Sequence, residues 1–333
     1  MAGIPSRAPA TQRSSVAIDE RSSIAVDGPA GAPARPGPAR APQLGVAALG
    51  LALVAALAYA TFTAQDLRMA ILLALGLLFG IALYHARFGF TSAWRRLVAV
   101  GQGEGLRAHA LMLAVASLLF APILAAGWGL FGQMPEANVS PIGVSVALGA
   151  FLFGIGMQVG GACASGTLYT IGGGQSAIVL TLAGFVGGSV LGAWNWGFWT
   201  ETMPNGPAVS MASSLGYGPA LAITLAVLAL IVAASLLVGR RRRPPPPERS
   251  AGSSGLARVL RGTWPLWVGA LALAVLNAAT LLVKGSPWGI TSAFALWGSK
   301  LAQGAGVDVG SWTYWSGERA ADLDAPILAD ATA

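Results

Sequence analysis

Charge is what this sequence has least of. Only 10% of its 333 residues are Asp, Glu, Lys or Arg, while 55% are apolar; an ordinary soluble domain carries roughly 25% charge. Such a chain cannot cover itself with an aqueous surface, so a lipid bilayer has to supply most of its solvent. Cysteine is nearly absent. Cys163 stands alone, which excludes an intramolecular disulfide framework and a four-cysteine metal site. The only histidines, His85 and His109, sit at the ends of apolar blocks, where wetted interfacial positions suit them better than a proton relay. No metal, cofactor or catalytic residue is expected, and the protein is not read as an enzyme. The first 43 residues are rich in Ala, Pro, Gly, Ser and Arg, and the first apolar run begins too late to be the core of a secretory signal. Residues 1–43 read as a disordered cytoplasmic tail.

What is present is long apolar blocks, close to the ~20 residues that span a hydrocarbon core. Seven qualify, at Leu44 to Phe62, Met69 to Tyr84, Ala110 to Phe131, Ile142 to Val159, Ala177 to Phe198, Pro219 to Val238 and Trp264 to Val283. The third to sixth contain no Asp, Glu, Lys or Arg, so the intramembrane carboxylate of a proton-coupled carrier is not found in them.

The net charge of +7 resides in loops, because residues 239–262 hold seven Arg against one Glu. Arg240 to Arg243 followed by Pro244 to Pro247 form a stiff linker beside a span, and positive residues near span ends stay cytoplasmic. Nucleic acid is not an expected partner, since no aromatic residues interleave with the arginines. Counting spans back from this linker places Arg87, Arg95, Arg96 and Arg107 on the cytoplasmic side, with Arg35 and Arg40 of the tail. Beyond the seventh block the chain should be outside, where acidic residues outnumber Arg319 and only Lys284 and Lys300 fit poorly.

Phe88 to Trp94 reads aromatic, Gly, apolar, Thr-Ser-Ala, aromatic, and so does Trp288 to Phe294. Each copy follows an apolar block and five blocks separate them, an odd number, so the copies should face opposite sides of the membrane. Inverted-topology repeats with broken helices are an architecture of secondary transporters. Equivalents of the third to sixth blocks should follow the second copy, yet residues 310–333 are polar; either the sequence is a fragment or another chain supplies the rest.

Between the fourth and fifth blocks, Gly160 to Gly174 is too rich in glycine to continue a helix cheaply. In lipid, freed backbone groups are tolerated only where they are buried in protein or line a wet cavity, so a re-entrant segment is expected here. The N-terminus of a short helix beginning near Ser165 would present amide donors to an anion. Cys163 beside Ser165, Thr167 and Tyr169 supplies uncharged donors that hold an anion loosely. Gly184, Gly188 and Gly192, and likewise Gly156 and Gly160, are spaced for close helix packing. Trp194, Trp196, Trp199 and Tyr217 read as an interfacial belt.

The run Gly154 to Tyr169, with Phe88 to Trp94 and Pro287 to Trp297, resembles the YeeE/YedE membrane protein family over roughly residues 45 to 330. The resemblance implies a helical protein of inverted repeats that imports thiosulfate along a line of cysteine thiols, with Cys163 matching one of them. Two departures are visible: Phe88 to Trp94 has no thiol, and the second-half cysteine motif would fall beyond Ala333.

The fold expected is therefore an all-α integral membrane protein, a polytopic helical bundle with inverted-topology repeats and re-entrant broken helices. Its parts are the tail, a first repeat at 44–238 with re-entrant segments near 88–96 and 160–174, a basic linker at 239–262 and an incomplete second repeat at 263–333. The expected function is a multi-pass permease of the inner (plasma) membrane for thiosulfate or a related sulfur anion, with a cytoplasmic sulfur-acceptor protein as a further partner. Candidate substrate-binding residues are Gly160, Gly161, Cys163, Ser165, Gly166, Thr167, Thr91, Ser92, Thr291 and Ser292. A membrane-bound sulfurtransferase carrying sulfur on Cys163, a selenium-compound transport protein and a scaffold subunit are the alternatives. A reporter fused near Gly252 should report the cytoplasm; an outside signal would overturn both the orientation and the inverted-repeat reading.

Overall fold

The computed structural model describes residues 44–64, 66–245 and 263–325. The expected tail at 1–43, most of the linker and residues 326–333 lie outside the described residues. The described residues from Ala52 onward form one compact unit, which contains the helical bundle. Among the described residues six helical stretches are long and apolar enough to cross a membrane, at Leu67–Val100, Glu104–Ala126, Val144–Gly172, Ser176–Trp194, Tyr217–Arg242 and Leu266–Lys284. The first apolar block also forms a helix, α1 (Leu44–Ala64), but its described apolar stretch, Ala48–Thr63, is shorter than a span.

The bundle is built on three helices, α2 (Leu67–Ala86), α4 (Glu104–Ala126) and α10 (Leu266–Lys284). Helices α2 and α10 run antiparallel. At one end Arg68 Nε donates to the Val283 carbonyl at 3.0 Å, and at the other Trp264 N–H donates to the His85 carbonyl at 2.9 Å. Helix α4 runs parallel to α10: Ala108 packs with Ala270 and Leu273, and Ile123 with Ala278 and Leu281. Small residues allow these approaches. Ala270, Ala274 and Ala278 recur every fourth position of α10 and are buried, as are Ala82 and Ala86 of α2. With no hydrophobic drive between helices in lipid, van der Waals packing of close backbones has to hold them. Of the glycines singled out in the sequence only Gly160 has a close neighbour, with a Cβ there 3.0 Å from Thr181 Cγ2 of the following span. A Cβ at Gly156, Gly184, Gly188 or Gly192 would meet nothing within 4 Å, because four-residue spacing permits close approach without specifying a partner.

Helix α9 (Tyr217–Arg242) runs antiparallel to α4, with Ser235 Oγ accepting from Arg107 and donating to the Gly103 carbonyl. Arg240 to Arg242 form its last turn rather than the start of the linker. Arginine is a good helix former, its charge suits a helix C-terminus, and the helix is stopped only by Pro244. Arg242 Nη1 donates to the Val98 carbonyl at 2.7 Å, so the basic stretch of α9 and that around Arg87 to Arg107 gather at one end of the bundle.

Both repeat copies begin with a left-handed helix stop, Arg87 (φ 46°) after α2 and Gly285 (φ 85°) after α10. Short helices follow, α3 (Phe90–Val100) and α11 (Thr291–Gly304). Since α2 and α10 are antiparallel, the stops lie at opposite ends of the pair, the first at the basic end. The second copy folds back into the bundle: Trp288 N–H donates to Asn277 Oδ1 at 3.1 Å, and Asn277 lies about 10 Å, two turns, inside the end of α10. From there α11 runs beside α7 (Val179–Trp194) in the same direction, Phe294 against Phe185 and Gly298 against Val190. Past it, Arg319 stands over the rings of Tyr314 and Trp196, so Trp196 has a protein partner as well as its expected interfacial position. Lys300, poorly placed by charge alone, donates at 2.6 Å to the carbonyls of Leu323 and Ala325, ending the short helix α12 (Glu318–Asp324).

The close approach of α2 and α10 gives a stability test. A Cβ at Gly269 would collide with the Cβ of Ala86, whereas one at Gly80 would meet nothing. Gly269→Val should destabilise the detergent-solubilised protein by ~1–3 kcal/mol through overpacking, read as a lowered Tm, while Gly80→Ala should leave Tm unchanged or raise it. Equal Tm values for the two variants would contradict the close α2–α10 approach.

Candidate functional site

The fourth span is broken. Helix α5 (Val144–Gly160) ends on Gly161 at φ 78°, a left-handed value that glycine takes without strain. Ala162 and the extended Cys163 (φ −80°, ψ 176°) follow, and α6 (Ala164–Gly172) starts at once. The break is therefore three residues wide, and much of the glycine-rich run is helical. Cys163 occupies the N-cap position, and its carbonyl accepts both the Thr167 N–H at 2.8 Å and the Thr167 hydroxyl at 3.0 Å. No side chain caps the first turn of α6, which leaves amide donors and the positive end of the helix dipole beside the thiol. The Cys163 Sγ lies 3.6 Å from Ser165 Oγ. On the other side of the break the Gly160 carbonyl accepts from the Thr181 hydroxyl of α7 at 3.2 Å.

Helix α6 packs against α2, and between them lies a cavity of about 460 Å³. Its wall is formed by Gly76, Gly80 and Tyr84 of α2, by Ser165, Leu168 and Tyr169 of α6, by His85 and by Trp288 from the second break. The thiol of Cys163 is not part of that lining; it meets the Ser165 hydroxyl, which is. The cavity thus takes its polar groups from a serine hydroxyl, two phenols, an imidazole and an indole, with no Asp, Glu, Lys or Arg in its wall.

The expected site residues fare differently. Gly160, Gly161, Cys163, Ser165 and Gly166 surround the break, and a Cβ at Gly166 would lie 3.3 Å from Cys163 Sγ. Thr167 is fully buried with its hydroxyl on the Cys163 carbonyl, which gives it a structural task and withdraws that hydroxyl from a ligand. Ser92 donates to the Gly89 carbonyl at 2.9 Å, again satisfying its own break. Thr91 is different: it is 2% exposed, and its hydroxyl has no hydrogen-bond partner among the described residues. The first break reaches α6 at Gly89, where a Cβ would stand 3.4 Å from Tyr169 Oη. Thr291 is exposed and Ser292 half-buried in the first turn of α11, and among the described residues no hydrogen bond joins either to Cys163. The second break contributes to the cavity through Trp288 instead.

Several residues escaped the sequence reading of the site, Tyr84, His85 and Leu168 of the cavity wall among them. Gly76 and Gly80 open the α2 wall, and their four-residue spacing was the available signal. Trp288 lay within the repeat as one of its aromatic positions. Asn277, which holds Trp288, was legible as a polar interruption of an apolar block.

The unpartnered hydroxyl gives a test that separates folding from function. Thr91→Val removes a buried hydroxyl that has no partner, so stability should be unchanged or rise by up to about 1 kcal/mol. If a conducted anion uses that hydroxyl, uptake should fall in the same variant. A drop in Tm would instead mean that the hydroxyl is bonded in the folded protein.

Two comparisons bear on this geometry. A family model described as sulphur transport matches residues 85–323, a range holding all three breaks. The thiosulfate transporter TsuA of Spirochaeta thermophila is 33% identical over 101 residues, which is 30% of this chain and 29% of that protein. The chain is thus matched to less than a third of that relative's length.

Proposed function

Since the chain belongs to the sulphur transport family, we propose that it is a permease whose conducted ion is thiosulfate, imported past the break at Cys163. One observation carries this reading: Ser165 lines the cavity while its hydroxyl stands 3.6 Å from the only thiol in the sequence, at the uncapped N-terminus of α6. Backbone amides at a helix start favour an anion through their partial positive charge. A thiol is a weak, polarizable donor that suits a terminal sulfur more than a hard oxygen. Neutral donors bind a dianion without trapping it, and conduction requires binding weak enough to leave. The relative named a thiosulfate transporter supports the choice of ion. The basic end of the bundle is assigned to the cytoplasm by the positive-inside rule, in the inner membrane of the cell. A cytoplasmic protein that accepts the sulfur is the partner this direction calls for.

Bond chemistry on Cys163 is the competing role, and substitution distinguishes the two. In cells lacking any other route, labelled thiosulfate uptake should be abolished in Cys163→Ala with membrane insertion intact, because alanine fits the space and breaks no disulfide. Cys163→Ser retains a donor but cannot carry a persulfide. Partial uptake in Cys163→Ser is the result expected of transient hydrogen bonding; complete loss would leave covalent sulfur transfer open. Wild-type uptake in Cys163→Ala would remove the residue from the mechanism.

A further inference from the structure

Two cavities lie on either side of one short piece of chain. The first is that between α2 and α6, with Trp288 in its wall. The second, about 480 Å³, lies at the end opposite the arginines, where Gln133, Glu136 and Asn138 of the loop after α4 face Lys284, Gly285 and Ser286. Residues 284–286 therefore border one cavity and residue 288 the other, with Pro287 between them. The fold-back of the second break is a partition a few residues thick.

Two contacts hold that partition. The Trp288 N–H is donated to Asn277 Oδ1 at 3.1 Å, and the Trp288 ring stacks on Phe79 with centroids 4.4 Å apart and planes 14° from parallel. Asn277 is itself steadied by donating from Nδ2 to the Leu273 carbonyl at 3.3 Å. Its amide is a polar group set into an otherwise apolar helix, and its acceptor is spent on the partition. On one flank of Trp288 the Gly285 carbonyl is held by the Glu136 N–H at 3.1 Å, while on the other a Cβ at Gly289 would meet nothing within 4 Å.

On the reading that the chain conducts a sulfur-containing anion, we propose that the two cavities are consecutive stations of one pathway. Trp288, positioned by Asn277, is the residue that decides what passes between them. The chemistry of the stations differs in the sense this requires. The outer one offers an ammonium, a carboxylate, two carboxamides and a hydroxyl, surroundings for a hydrated ion. The inner one offers glycine surface, the Ser165 hydroxyl, the phenols of Tyr84 and Tyr169, the His85 imidazole and the indole of Trp288, with no Asp, Glu, Lys or Arg. An ion crossing an indole wall has to shed water, which is easier for a large, polarizable anion than for a small, strongly hydrated one. Asn277 touches no substrate in this scheme; it sets the position of the indole.

The test uses the full chain in sealed vesicles, in a Cys163→Ala, Gly80→Cys background, so that the single thiol stands in the inner cavity at a position with open space for it. Labelling by the charged thiol reagent methanethiosulfonate ethylsulfonate is followed with the reagent on the Lys284 side only. Slow labelling is expected in the background. Trp288→Ala should accelerate it by at least an order of magnitude, and Asn277→Leu by about fivefold, the effect of one lost hydrogen bond on an opening equilibrium. Asn277→Asp, which keeps the acceptor, should remain near the background rate. This conservative pair keeps the test decisive where Trp288→Ala fails to fold. Equal rates in the background, Asn277→Leu and Asn277→Asp forms, or fast labelling already in the background, would overturn the proposal. The readout is independent of the substrate: the expected pattern of rates without thiosulfate uptake in the chain with its native Cys163 would keep the partition and reject thiosulfate.

Discussion

A helix interrupted inside a bilayer leaves peptide groups that lipid cannot solvate, and meeting that need organises the molecule. An unsatisfied group costs several kcal/mol in hydrocarbon, against about 1 kcal/mol gained from a typical bond that is made. Each break has its own remedy. The Thr167 hydroxyl serves the Cys163 carbonyl, Thr181 serves Gly160, Ser92 serves Gly89, and Asn277 serves Trp288. Most small polar residues of these apolar segments are thereby assigned to the backbone. Among the described residues the polar side chains and amides near the cavity include Ser165, Tyr169, Tyr84 and His85 at its wall, the first-turn amides of α6, the Cys163 thiol and, apart from the wall, the buried Thr91 hydroxyl.

The breaks act together because of the antiparallel pair α2 and α10. Each of these helices ends in a left-handed stop, and antiparallel packing sends the two stops to opposite ends. The second break then folds back along α10 until Trp288 reaches Phe79 in the body of α2. Helix α6 approaches the same stretch of α2 from the break in the fourth span. The cavity consequently has walls from three distant stretches of sequence, and the α2 wall is open because Gly76 and Gly80 present no side chains there.

The sequence made some of this legible and hid the rest, for identifiable reasons. Bilayer-length apolar blocks and low charge announced the helical membrane fold, since hydrocarbon thickness fixes the length of a span. The Thr-Ser-Ala repeat pointed to paired breaks, and the basic loops to a charged end where Arg242 meets Val98. The packing partners were not legible. The regular glycines of α7 face open space, while the close contacts fall on alanines of α2 and α10 that look unremarkable in an alanine-rich chain. The roles of individual hydroxyls were hidden as well, because Thr167 and Ser165 differ only in the direction imposed by the helix that begins between Cys163 and Ala164.

Among the described residues no Asp, Glu, Lys or Arg lines the cavity beside Ser165, though the charge of Arg87 acts on Tyr169 in its wall, and that sparseness takes on a physical meaning. A lysine or arginine beside the α6 N-terminus would hold a dianion through a strong, weakly screened attraction in a low-dielectric site. Release would be slow for the same reason. Amides, hydroxyls and a thiol provide several directional contacts, each worth little, which an ion can exchange one at a time as it advances. The basic groups stand instead toward the two ends of the bundle, Arg242 beside Val98 at one and Arg68 on the Val283 and Lys284 carbonyls at the other. Placed there they can raise the local concentration of an anion without binding it tightly. A pathway with charge at its mouths and neutral donors at its waist can therefore be selective through contact geometry while still releasing what it selects.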